Sequence, residues 1–455
     1  MRKTVQAALS EGFTDPVRDV LWGHIYLTPA LAALVASAPF TRLCRILQLG
    51  PVYLVYPGAT HTRASHSIGV YHLGRRLLQN LAERGAAAWL SPEGVHSFLC
   101  ACLLHDLGHF PYTHSLKELT MNFESNMKQS FMKPLRSHES LTGAIIMEEP
   151  MKSLVKNTGA DPALTAAIID KELGGKGLDD SGKELDDSGK ELDDSGGELR
   201  FYRKLLSGCL DPDKLDYLNR DARYCGVPYG AQDVDFILSR LYPHIERGAD
   251  IDSRLIPNVE SVLFSKYLMY RTVYWHRQVR SATAMIKKAL LDGLESAVLA
   301  GDDLYGLDDQ SLFMLLRDKT GSALAKAVWE GRIYAVAAEI PFVEADHACL
   351  RDIRSRSRYE EQLAAELRAA GVPLGSNDLI IDVPEPASFE TGLFVLDEDR
   401  YFAESSSAFK AETVNAFVQT LYTIRIFVNP VFEQKVKTLS GLCDILNNRK
   451  KWLHL

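Results

Sequence analysis

The sequence has no apolar run approaching the roughly 20 residues needed to cross a bilayer, so no membrane-embedded helix is expected. It shows no signal-peptide pattern and no Cys-x-x-Cys pair, and its seven cysteines are an odd number. Cys100 and Cys102 fall in the apolar run Phe98–Leu104 and read as small buried thiols rather than disulfide partners. A reduced cytoplasm is the expected location. An excess of basic charge is also missing: 51 Lys and Arg face 59 Asp and Glu, a formal net charge of -8. That disfavours an extended nucleic-acid surface without excluding a local basic groove.

What the chain does have is length and helix punctuation. Its 455 residues, 46% hydrophobic and 24% charged, suffice for a large core with appendages. Thr28-Pro29 caps a helix through Leu31, Leu34 and Val35. A second helix is expected from Thr41 to Leu49, and a short extended piece from Tyr53 to Tyr56. From His66 the pattern is helical again, with Gly85 as its stop. Ser91-Pro92, Ser137-His138, Asp161-Pro162 and Asp211-Pro212 each open a further helix, and a long helical region runs from about Val259 to Ala300. Beyond Gly331 the periodicity alternates. Leu379–Ile381, Leu393–Leu396 and Ile424–Val428 read as strands, with a helix through Phe417 and Leu421. The expected fold is therefore mostly α, residues 1–330 forming a helical core and 331–455 a smaller α+β region. Between 178 and 199 the unit Leu-Asp-Asp-Ser-Gly recurs every seven residues. One Leu per heptad and a Gly in each copy cannot form a coiled-coil seam, so this reads as a flexible acidic insertion.

Chemistry concentrates earlier. The stretch Leu103-Leu104-His105-Asp106-Leu107-Gly108-His109-Phe110-Pro111-Tyr112-Thr113-His114 packs three histidines and an aspartate into one helix end and its turn. Eight of the 13 histidines lie between His61 and His138, a crowding that favours a site over scattered structural roles. His66, His105-Asp106, His138 and Asp213, on different helices, are the candidates to converge. A mixed imidazole and carboxylate set suits a divalent cation: Mn, Mg, Fe, Co, Ni or Zn.

The order His … His-Asp … Asp resembles the HD superfamily of metal-dependent phosphohydrolases, and the match extends to its deoxynucleoside triphosphate triphosphohydrolases. It is carried by Asp15-Pro16-Val17, Gln48-Leu49-Gly50, Tyr56-Pro57-Gly58-Ala59-x-His61-x-Arg63-x-x-His66-Ser67-x-Gly69-Val70, His105-Asp106-Leu107-Gly108-His109 with His114, Ser137-His138-Glu139, and Asp213-Lys214-x-Asp216-Tyr217 with Arg220-Asp221. The resemblance implies an HD helical-bundle core with His66, His105, Asp106 and Asp213 as metal ligands. It places His109, His114 and His138 around the transferred phosphorus, Arg63, Lys214 and Arg277 on the triphosphate, Tyr217 and Asp221 near the sugar, and Gln48 and Leu49 against it. Each has a plainer alternative: Arg63 as a salt-bridge partner, Lys214 as a helix-surface charge, Tyr217 as packing. The implied activity is hydrolysis of a (deoxy)nucleoside triphosphate to nucleoside and triphosphate by a homo-oligomer. Competing readings are another nucleotide phosphoester hydrolase, such as a monophosphatase or second-messenger hydrolase, and a non-catalytic nucleotide- or nucleic-acid-binding HD module. The sequence departs from the family at Phe110, where a glycine is usual and a bulkier ring implies a narrower pocket. It departs again at Cys44, where allosteric members carry an arginine, and near Val279-Arg280, where the tyrosine that screens a ribose 2′-hydroxyl is not found.

Overall fold

The computed structural model describes residues 4–112, 136–173, 195–385 and 387–438. After a short helix over Val5–Ser10 the chain forms an antiparallel hairpin, β1 (Asp15–Asp19) and β2 (Gly23–Leu27), with Asp15 opposite Leu27 and Asp19 opposite Gly23. Its turn uses Gly23 at φ +71°, a conformation glycine adopts without strain. Helix α1 (Pro29–Val35) follows with Thr28 as its cap, the Leu31 N–H donating to Thr28 Oγ1 at 3.2 Å. The helix expected over Thr41–Leu49 does not form. A short helical stretch ends at Arg42, a 3₁₀ turn covers Leu43–Arg45, and Leu47 bridges to Thr62. The extended piece expected at Tyr53–Tyr56 is largely replaced by a 3₁₀ turn over Gly50–Leu54. Tertiary partners decide this segment: the Leu47 N–H donates to Asp309 and the Gln48 N–H to the His61 carbonyl, so neither serves a helix ladder.

The main body is built on α2 (Arg63–Glu83), α3 (Pro92–Leu104), α4 (His138–Met147), α5 (Pro162–Ile169), α6 (Ser195–Leu206) and α7 (Pro212–Cys225). Helix α2 is sandwiched between α3 and α7, and two glycines permit the approach. A Cβ on Gly74 would lie 2.6 Å from Cys102 Sγ, and one on Gly69 would lie 1.9 Å from Asp216 Oδ1. The expected N-caps at Ser91, Ser137, Asp161 and Asp211 all accept from backbone N–H groups of the first turn.

Helix α6 corrects one boundary. Its first five residues fall in the stretch read as acidic insertion, yet Glu198 accepts from the Ser91 N–H at 2.8 Å and from the Tyr202 hydroxyl at 2.9 Å. Leu199 packs on the main core. A repeat-like sequence thus ends as an anchored helix, because Phe201, Tyr202 and Leu205 supply a buried face one turn later. Residues 178–194 lie outside the described residues. Glu198→Ala should lower the unfolding free energy by about 1–3 kcal/mol, since it strands the Ser91 donors; the shift in denaturation midpoint measures it.

After α7 come the hairpin β3 (Leu241–His244) and β4 (Gly248–Ile251), then α8 (Ile256–Met269) and α9 (Arg277–Glu295). The long helical region predicted from Val259 is broken by a π turn over Tyr270–Tyr274. The C-terminal sheet runs β5-β9-β6, all antiparallel, from β5 (Ala335–Pro341), β6 (Leu379–Asp382) and β9 (Thr423–Val428). Helix α9 covers one face and α10 (Ile353–Ala369) the other. Leu379, Ile381, Ile424 and Ile426 join the α10 core, while Ile380 and Phe427 join Met285 and Ile286 of α9, the period-2 alternation of a strand. The strand expected at Leu393–Leu396 shrinks to β7 (Phe394–Val395), paired with β8 (Arg400–Tyr401) and with β4. Residues 387–421, ending in α11 (Ala411–Leu421), return to the main core through Phe389, Val395, Phe402 and Phe409. Among the described residues no helix is long and apolar enough to cross a membrane.

Candidate metal centre

Three helices deliver the centre. His66 stands in the first turn of α2, His105 caps α3, and Asp213 lies in the first turn of α7. Their ligand atoms all lie within 4.8 Å of one another. The Nδ1–H of His66 donates to Asp216 at 2.8 Å, and its Nε2 lies 2.9 Å from Asp213 Oδ1. A carboxylate only accepts, so Asp216 fixes the tautomer and turns Nε2 towards the centre. His105 is held likewise: its Nδ1–H donates to the Cys102 carbonyl at 3.0 Å. Its Nε2 lone pair then faces Asp106 Oδ1 at 3.3 Å and Asp213 Oδ1 at 3.8 Å. A lone pair aimed at two carboxylate oxygens is repulsive until a cation or proton stands among them. The residues present therefore fit a divalent cation. Burial opposes charge on His66, but its bonds to Asp213 and Asp216 outweigh that and raise its pKa to about 10. A proton takes the cation's place in the metal-free protein.

Asp106 adjoins the three rather than joining their closest cluster. It accepts from Arg63 Nη1 at 2.9 Å, and its other oxygen lies 3.1 Å from His109 Nε2. Burial works against its charge, yet His105, Arg63 and His109 hold its pKa well below the usual carboxylate range. Arg63 thus takes the salt-bridge role. His109 lies against His138, ring centroids 4.0 Å apart and the planes tilted by 34°. Burial lowers the pKa of both, and Arg63 pushes both further down, so both are neutral near pH 7. The turn bearing His109 is clamped from two sides. Arg42 donates to the carbonyls of Leu107, His109 and Leu307 at 2.5, 2.7 and 2.9 Å. From α4, Thr142 accepts the Gly108 N–H at 2.8 Å and donates to the His105 carbonyl at 3.1 Å. Phe110 does not face the pocket; its buried ring joins the second core, 6.3 Å from Tyr305. His114 lies outside the described residues.

Behind His66 sits a buried charge network. Asp216 accepts from His66, from Arg220 at 2.8 and 2.9 Å and from the Trp22 indole at 2.6 Å, and Arg220 also donates to Asp19 at 2.8 Å. The hairpin β1–β2 thereby backs the centre.

Along α7, Asp213, Tyr217 and Asp221 are four residues apart and share one face. Tyr217 stands near Tyr274, ring centroids 6.5 Å apart. Asp221 accepts from the Tyr274 hydroxyl at 2.6 Å and lies 2.8 Å from His61 Nε2. Lys214 Nζ donates to Asp211 at 2.7 Å and lies 4.0 Å from Glu390 Oε2, which accepts from Lys266 Nζ at 3.1 Å. Gln48 presents a buried Oε1 with no hydrogen-bond partner among the described residues. Leu49 is half-buried against the main core. Arg277 is exposed at the start of α9, and no bond joins it to the centre among the described residues. Sequence reasoning missed Arg42, Trp22, Lys266, Tyr274 and Glu390. Of these, Lys266 alone left a signal, a lysine at helical spacing among Val262, Leu263 and Met269. The others depend on contacts across more than 50 residues.

A cradle of imidazoles and carboxylates at the meeting of three helix ends is thus a candidate divalent-metal centre. Comparison with known proteins gives the family. Residues 63–158 match the HD domain and residues 243–447 the HD associated region. The chain thus carries an HD domain followed by an HD associated region. An uncharacterized Mycoplasma pneumoniae protein is 33% identical over 266 residues, 58% of this chain and 55% of that protein. The bovine deoxynucleoside triphosphate triphosphohydrolase SAMHD1 is 26% identical over 319 residues, 66% of this chain and 52% of that protein. The chain spans about half the length of the curated relatives it matches. A solved phosphohydrolase from Bacteroides thetaiotaomicron shares the fold with a TM-score of 0.66 at 22% identity, over 91% of this chain and all of that one.

Proposed function

We propose that the chain is a metal-dependent phosphohydrolase that cleaves (deoxy)nucleoside triphosphates into nucleoside and triphosphate. The observation that carries this reading is the single face of α7. Asp213 at its start serves the cation, Lys214 beside it meets phosphate, and Tyr217 and Asp221 follow at four-residue steps. At 1.5 Å per residue, Asp213 and Asp221 are about 12 Å apart along the axis, a span that accommodates a phosphoryl group at one end and its sugar at the other. A tyrosine wall, a buried carboxylate and the acceptor of Gln48 suit a sugar bearing hydroxyls. The SAMHD1 relatives, named as deoxynucleoside triphosphate triphosphohydrolases, support the same substrate class.

A divalent cation, when bound, polarises a phosphoryl oxygen and acidifies a water. The chain's residues do the rest. Asp216 orients His66, and Arg63 keeps Asp106 ionised beside the centre. The adjoining pair His109 and His138, both neutral, accepts the proton that the attacking water gives up at the α-phosphorus. To His114 we assign the proton delivered to the departing 5′-oxygen, a general-acid role commonly contributing about 10² to 10⁴ in rate. Turnover of a panel of ribo- and deoxynucleotides with Mn, Mg, Fe, Co, Ni and Zn tests the reading. Triphosphates should be consumed with at least one metal, and preference for a monophosphate or cyclic nucleotide would replace it.

A further inference from the structure

The geometry points to Glu390 as an internal anion that occupies the polyphosphate subsite and is displaced by the phosphate chain of the substrate. This rests on the reading of Lys214 as a phosphate ligand. Lys266, on α8, is 95% buried and sits among Val262, Leu263 and Met269. A lysine so placed needs an anion, because an unpaired buried ammonium is costly. That anion is Glu390 Oε2, 3.1 Å away, and Lys214 Nζ approaches the same oxygen at 4.0 Å. With Lys214 also held by Asp211, two lysines face two carboxylates, and an arriving phosphate meets no net positive charge. A single phosphate group standing where the Glu390 carboxylate stands would bridge both lysines.

The segment is built to hold this carboxylate and to release it. Phe389, the preceding residue, is buried in the main core, 6.2 Å from the Phe417 ring, and its own ring lies 5.5 Å from Lys266 Nζ. Glu390 itself is 37% exposed, and its second oxygen accepts from the Ser388 hydroxyl at 2.9 Å. The backbone is anchored while the side chain borders solvent, so a rotamer change of Glu390 opens the subsite without moving the fold. The ligand class is a polyphosphate chain, free or on a nucleotide.

Titration of the full chain with inorganic tripolyphosphate, in chelator so that no metal contributes, tests this directly. Glu390→Gln should bind tripolyphosphate about two- to fivefold tighter than wild type, the scale of a partly exposed ion pair relieved. Lys266→Gln should weaken binding, and in that background Glu390→Gln should gain nothing. Glu390→Asp, whose shorter side chain withdraws the carboxylate, should show a smaller gain and replaces the glutamine variant if that one does not fold. Unchanged or weaker binding by folded Glu390→Gln or Glu390→Asp overturns the proposal. The two readings fail separately. Tighter binding by Glu390→Gln with no nucleotide turnover under any metal would overturn the hydrolase and keep the displaced anion. Turnover with no change in tripolyphosphate affinity would do the reverse.

Discussion

His105→Ala should lose divalent-metal affinity by at least about 100-fold while the metal-free protein stays folded. Removing a group that only supports a ligand already costs about 10- to 100-fold, and His105 supplies one of the three clustered ligand atoms. Among the described residues its side chain makes one hydrogen bond, to the Cys102 carbonyl at the end of its own helix, so truncation should cost about 1 kcal/mol of stability. Asp106→Ala should behave differently. It would strand Arg63, 5% exposed and bonded to that carboxylate, so instability should accompany any loss of metal. The metal must also displace the proton on His66, whose pKa is raised to about 10, so apparent affinity should rise with pH through the neutral range. Isothermal titration with Mn or Co at several pH values reads the affinities, and the urea midpoint reads the stabilities. Full stoichiometric binding by His105→Ala would remove it from the ligand set.

Arg220→Met should be the most destabilising single change in the backing network, by about 3–5 kcal/mol. Arg220 is fully buried and bonds both oxygens of Asp216 and one of Asp19. Methionine keeps much of the volume but leaves two buried carboxylates without their counter-ion. Asp216, freed from Arg220, would also orient His66 less firmly, so metal affinity should fall with stability. The urea midpoint gives the first quantity and metal titration the second. A midpoint near wild type would show that the network contributes little to holding the three helices together.

The metal centre was legible because its residues announce themselves locally. His105-Asp106 ends an apolar helix, His66 opens another, and Asp213 follows an Asp-Pro cap; each signal lies within one turn of the residue concerned. Caps at Thr28, Ser91, Ser137, Asp161 and Asp211 were legible for the same reason. What was not legible depends on partners distant in sequence. The Thr41–Leu49 region looks helical by periodicity, but Arg42 is drawn to the carbonyls of residues 107, 109 and 307 and the Leu47 N–H to Asp309. Five residues per strand were too few for the β1–β2 hairpin to show its alternation, and its Trp22 contact to Asp216 joins positions 194 residues apart. Phe110 reads as a pocket wall because it adjoins the His105–His109 turn, whereas its ring lies in the core that holds Met285 and Ile286 of α9. Lys266 and Glu390 meet only because residues 387–421 fold back on the main body.

The central claim is cleavage at the α-phosphorus, and the most direct test is the identity of the phosphorus product. A deoxynucleoside triphosphate incubated with the metal-loaded full chain should give intact tripolyphosphate and free nucleoside in equal amounts by phosphorus-31 NMR, with His105→Ala giving neither. Orthophosphate as the first product would place the attack at the terminal phosphorus, and pyrophosphate with a nucleoside monophosphate would mean that a bridging oxygen departs in place of the 5′-oxygen; either would contradict the account.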